Sequence, residues 1–191
     1  GTYFTVMYDL YGHGTAVAGL IASKGVVAYN ITKEGDLQIT GVAPGSKIVA
    51  VKALWVSDVL YAWFWLAGMN YNGSWSYRGS TRADIVVNSF GISDWPYLEG
   101  LPGRDILSML TDLMSVPGSL DKEYPGMLMV VSAGNGGPGR GTITPPGSSM
   151  FALTVGASTC MDWTLVKPEV IWSKGPQARF GSVSYTHLTL P

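Results

Sequence analysis

Tyr11-Gly12-His13-Gly14-Thr15-Ala16-Val17-Ala18-Gly19-Leu20-Ile21-Ala22-Ser23 is the stretch that decides how the chain is read. It predicts a helix over 12–23 with small or apolar residues on every side. Such a helix has no polar face to give to water, so it is expected deep inside a fold. A histidine between two glycines at its start is an odd construction. The glycines allow a sharp turn and leave room around the ring, and an imidazole near a helix start can serve as a general base. The plainer alternative is a histidine present for packing or capping.

Outward from this helix the pattern alternates. Lys47 to Leu54 is a short β-branched run after the Ala43-Pro44-Gly45 turn and predicts a strand. Val56 to Met69 is helical in composition, and its aromatics need cover. Ala83 to Ser89, Met127 to Ala133 and Phe151 to Ala157 predict further strands, and Arg104 to Ser115 has the apolar spacing of an amphipathic helix. The segment 134–147 is dense in Gly and Pro and reads as loop. Asn70 to Arg82 and Trp95 to Arg104 read as surface insertions. Strands alternating with helices imply an α/β architecture of three layers, a mostly parallel central sheet covered on both faces. No internal boundary is visible, so residues 1–181 are expected to form one partial domain. Ser182 to Pro191 changes character abruptly and is expected to be a non-native tail; both ends read as truncations.

Composition narrows the classes. The chain has 191 residues, 47% hydrophobic and 13% charged, which suits a buried core and argues against disorder. A net charge of −1 without a basic stripe gives no footprint for nucleic acid. The most apolar run, 56–69, contains Asp58 and is too short to span a bilayer. One cysteine excludes an internal disulfide, and two histidines make a histidine-rich metal site a poor expectation.

Two more segments could carry chemistry. Asn135, in Ser132-Ala133-Gly134-Asn135-Gly136, lies just past the end of a predicted strand, where α/β sheets place their sites. Its amide could donate to a developing oxyanion, or it could be a turn residue tolerating positive φ beside glycines. Ser89-Phe90-Gly91 ends another strand, and exposed backbone there could pair with an extended peptide or be merely a strand end. A rival reading takes Gly134, Gly136 and Gly139 as a dinucleotide fingerprint with Asp162 further on. That motif needs a helix directly after the glycines, and Pro145-Pro146 stands in the way.

Taken in order, these segments resemble the subtilase family of serine peptidases. Gly12 to Gly19 resembles its catalytic-histidine signature, with Ala16 where histidine is common. Gly41-Val42-Ala43-Pro44 with Lys47 to Lys52 resembles the next turn and strand. Val87 to Gly91 resembles the substrate-binding strand, Ser132 to Asn135 the oxyanion segment, Thr154 to Ala157 the following strand, and Trp172 to Pro176 a Ser-Arg-Gly-Pro element. The resemblance implies that His13 is the general base and Asn135 the oxyanion donor. It implies that Ser89, Phe90 and Gly91 hold the substrate backbone, and that Ser132, Ala133 and Gly134 line the pocket before the scissile bond. His13 and Asn135 should then share one cleft beside Ser89. The substrate would be a peptide or protein, no cofactor would be required for catalysis, and export to the cell surface or beyond would follow. Structural calcium is frequent in the family, though no complete carboxylate set is visible.

The pattern departs from the family at two triad positions. Asp9 is too near His13 and corresponds to the loop leading into the histidine helix. Gly147-Ser148-Ser149-Met150 imitates the family's serine motif but follows Asn135 too closely and leads into a strand. The expectation is therefore a serine endopeptidase fragment, inactive by itself, lacking the triad aspartate and serine. The other reading is an inactive subtilase fold kept as a binding module.

Overall fold

The computed structural model describes residues 8–32, 35–53, 55–92, 103–136 and 140–157. Readings that fall on Trp95 to Arg104 lie outside these residues up to 102, as do Gly139, Asp162, Trp172 to Pro176 and the 182–191 tail. The described residues form two compact units, one ending at Lys52 and one beginning at Ala53.

In the first unit, helix α1 (His13–Ala22) is followed by an antiparallel hairpin, β1 (Lys24–Thr32) and β2 (Gly35–Thr40). Pairing runs from Lys24 opposite Thr40 to Thr32 opposite Gly35. The chain leaving β2 satisfies the orphan carbonyls at the end of α1. Val42 N–H donates to Leu20 and Ala43 N–H to Ile21. A side chain at Gly41 would strike the backbone of Ile21 and Ala22, so only glycine lets the segment approach this closely. The helix appears as expected, but its burial does not: none of its residues is buried and Leu20 is 71% exposed. Within this unit the hairpin offers cover to one side, whereas an all-apolar helix needs it on all. The strand expected over Lys47 to Leu54 is also absent through Ala53, with Leu54 outside the described residues. An extended run becomes a strand only when a neighbour pairs with its N–H and C=O groups, and no described segment does.

The second unit carries the core. Helix α2 (Val56–Leu66) begins with Asp58 accepting from Trp55 N–H at 3.1 Å, half of a capping box. It stops at Gly68, whose φ of 89° ends the helix. The segment read as a surface insertion over 70–82 carries most of a hairpin, β3 (Met69–Tyr71) and β4 (Trp75–Tyr77). Arg82 fastens it to α2. Its guanidinium donates to Trp65 O at 2.5 Å and Asn70 Oδ1 at 2.6 Å, and lies 4.7 Å from the Trp65 ring centroid.

Strands β5 (Ile85–Asn88), β6 (Leu128–Ser132) and β7 (Leu153–Val155) form a parallel sheet in that order, with α3 (Ile106–Ser115) between β5 and β6. Asp105 caps α3 by accepting from Ser108 N–H at 2.8 Å. This is the α/β architecture with parallel strands that the alternation predicts. Val86 and Met129 pack with Trp63 and Leu66 of α2 and Leu107 and Met114 of α3 in one cluster. The other sheet face departs from the expected double cover. Ile85, Leu128, Leu153 and Val155 are 45–57% exposed, because the two helices among this unit's described residues, α2 and α3, pack into one cluster with Val86 and Met129 of the opposite face.

Candidate functional site

The site in the second unit starts from a buried polar contact. Trp63 Nε1–H donates to Asn88 Oδ1 at 3.0 Å, fixing the last residue of β5 against α2. Ser89, Phe90 and Gly91 leave from that anchored point. The neighbouring strand β6 ends at Ser132, whose hydroxyl donates to Phe90 O at 3.3 Å and ties the two strand ends together. Ala133 N–H then donates to Val155 O at 2.9 Å. Gly134 turns the chain with φ 90°, a left-handed conformation that suits glycine.

A strap formed by 140–147 returns over these ends. Thr144 N–H donates to Ala133 O at 3.3 Å and Ile92 N–H to Pro145 O at 3.0 Å. Thr144 lies between the two strand ends. A Cβ added at Gly91 or at Gly134 would collide with its Oγ1. That hydroxyl oxygen is buried without a hydrogen-bond partner among the described residues, although such groups are normally satisfied. Thus Ser89–Gly91 and Ser132–Gly134, separate in sequence, meet around one side chain. Thr144 was not among the residues singled out by sequence. Thr144-Pro145-Pro146-Gly147 advertises a fixed turn, but which glycines it faces is decided by the tertiary fold.

Asn135 follows Gly134 and is exposed. Among the described residues no non-glycine has positive φ, so Asn135 is not there to tolerate left-handed backbone; Gly134 does that. The Ser149 hydroxyl faces two local acceptors, Pro146 O at 2.6 Å and Ser108 O at 3.2 Å, which share its one proton. The dinucleotide reading of Gly134, Gly136 and Gly139 fails on its own requirement, since no helix follows over 140–157.

His13 belongs to the first unit, at the first position of α1 and exposed. Its N-cap, Gly12, has φ 81° and no side chain to cap with. Asp9 takes over that work. One carboxylate oxygen accepts from Tyr11 N–H at 3.1 Å and Gly12 N–H at 2.7 Å. The other accepts from Thr15 N–H at 3.0 Å and the Thr15 hydroxyl at 2.6 Å. The Thr15 hydroxyl, followed by the Gly12 and Thr15 amides, holds the carboxyl well below the usual range. The Tyr11 and His13 rings stand 6.5 Å apart.

Among the described residues no three His, Cys, Asp or Glu side chains gather as a metal would need. No described helix is long and apolar enough to cross a membrane.

Comparison with known proteins gives two kinds of match. The sequence model of the subtilase family matches residues 5–184. Pyrolysin of Pyrococcus furiosus is 29% identical over 179 residues, covering 83% of this chain and 12% of that protein. Serine protease AprX of Bacillus subtilis is 32% identical over 168 residues, covering 80% of this chain and 31% of that protein. The chain thus spans less than a third of the length of either relative. No solved structure matches it.

Proposed function

The chain belongs to the subtilase family, and on that premise we propose that it forms part of a serine endopeptidase acting on peptides or proteins by acyl transfer. The observation that supports this best is Asn135. It is an exposed amide just past the C-terminal end of β6, the middle strand of the parallel sheet, on a turn whose backbone strain is carried by Gly134. Open α/β sheets put their ligands at that edge.

In the proposed reaction a serine hydroxyl attacks the scissile carbonyl and His13 takes its proton, later returning it to the leaving amine. Asn135 donates to the oxyanion, an interaction of about 3–4 kcal/mol in a well-placed donor. The substrate backbone lies along Ser89–Gly91. The side chain before the scissile bond enters beside Ser132–Gly134, where Thr144 limits its size.

The nucleophilic serine and orienting aspartate would come from outside the described residues. What supports this is that Asp9 accepts four backbone and hydroxyl donors around the start of α1 and that the Ser149 hydroxyl faces two backbone carbonyls. The 191 residues alone are therefore expected to be inert, and export and structural calcium remain part of the same proposal. The test is kinetic, made on the longer protein to which we propose these residues belong. His13→Ala should abolish peptide hydrolysis. Asn135→Ala should lower kcat by roughly 10²–10³-fold with KM little changed. Full activity in either variant would sink the assignment. No hydrolysis by the unaltered protein would leave the inactive binding module as the better reading.

A further inference from the structure

We propose that Asp9 is a positioning residue for His13, its carboxylate fixing the backbone on both sides of the histidine and so setting the direction in which the imidazole is presented. The inference rests on His13 being the general base.

The geometry is specific. A helix beginning at His13 leaves its first N–H groups without intrahelical partners, and Gly12 as N-cap has no oxygen to offer them. Asp9 reaches forward from outside the helix and accepts four hydrogen bonds, two at each oxygen. Gly12 is held on one side of His13 and Thr15 two residues beyond it on the other. The histidine is the first helical residue inside this clasp, with only Gly14 between it and Thr15.

Among the described residues, burial does little to hold this turn. Tyr8, Leu10 and Tyr11 are 64–79% exposed, and Gly12 to Thr15 are exposed as well. Two glycines flank the histidine, so the backbone there has more freedom than almost any other sequence would give it. Charge-assisted hydrogen bonds, stronger than neutral ones, therefore do what packing would do elsewhere. Only a carboxylate serves. Asparagine has one acceptor oxygen, and its amide hydrogens would face the donors of the other pair.

Ionisation gives the clasp a pH signature. The carboxyl is held below the ordinary aspartate range by the Thr15 hydroxyl first, then by the Gly12 and Thr15 amides. A lowered value means that the stabilisation is present above the ordinary aspartate pKa and is lost as pH falls through the lower, folded one.

Two experiments test the proposal. In the 191-residue chain labelled with 15N, the Gly12 and Thr15 amide signals should titrate together, well below the ordinary aspartate value of about 3.9. Titration at the ordinary value would overturn the clasp. In the longer protein, Asp9→Asn should lower kcat by roughly tenfold to a hundredfold, the scale of a misplaced catalytic group, while KM stays near its original value. Thr15→Val should act in the same direction and Thr15→Ser, which keeps the hydroxyl, should restore most of the rate. Unchanged kcat in Asp9→Asn, with His13→Ala inactive, would overturn positioning while leaving the general base intact. Unchanged kcat in His13→Ala would instead remove the premise.

Discussion

Thr144 shows how much can turn on one side chain. It fills the space left by two glycines on adjacent strand ends, and its buried hydroxyl has no hydrogen-bond partner among the described residues. If the pocket before the scissile bond opens there, Thr144 is its size limit. Thr144→Ser removes one methyl group and keeps the hydroxyl. A methyl-sized change in a pocket shifts selectivity by about 1–3 kcal/mol. Thr144→Ser should therefore raise kcat/KM for peptides with larger residues at that position, relative to small ones, by roughly tenfold or more. A panel of peptides differing only there would check it, and an unchanged ranking would place the pocket elsewhere. Candidate residues were legible in sequence wherever a motif joined neighbours, as at Gly12-His13-Gly14 and Gly134-Asn135. Thr144 was not, because its partners Gly91 and Gly134 reach it only through the fold.

At the scale of elements, the hydrogen bond from Trp63 to Asn88 joins α2 to β5 and sets where the strand delivers Ser89. Asn88 is 3% exposed and Trp63 2%, so losing one partner strands the other in an apolar core. Asn88→Leu, close in volume, should cost about 1–3 kcal/mol for the unpaired indole N–H. Adding Trp63→Phe should recover part of that cost, since removing both partners of a buried bond is far gentler than removing one. Chemical denaturation of the single and double variants measures this, and a fully additive double variant would contradict it. The three parallel strands and helices α2 and α3 were all readable, because their apolar periods survive in sequence. The surface segment 70–82 holds the β3–β4 hairpin, for which Asn72-Gly73 between Tyr71 and Trp75 is the local signal. The extended run after Lys47 failed as a strand. Strand composition was present, but the partner that makes a strand is a non-local fact.

At the scale of the whole molecule, burial is unevenly distributed. The cluster built on Trp63, Leu107, Met114 and Met129 belongs to the second unit, whereas α1 has no buried residue. One face of the parallel sheet keeps Ile85, Leu128, Leu153 and Val155 substantially exposed within its unit, and apolar surface of that kind is what a larger fold normally covers. The family assignment is firm over residues 5–184, while the chain spans only 12% and 31% of the two relatives compared. The proposed function turns on Asn135 and the strand end at Ser89–Gly91, which the second unit brings to one edge of its parallel sheet, acting on one bound substrate. Its most direct test is a crystal structure of the longer protein with a peptide aldehyde bound. The tetrahedral oxygen should lie about 3 Å from Asn135 Nδ2, with the His13 imidazole within hydrogen-bond reach of the nucleophile and the peptide backbone paired with Ser89–Gly91. An inhibitor seated away from Asn135, or a His13 ring out of reach of the bound carbon, would contradict it.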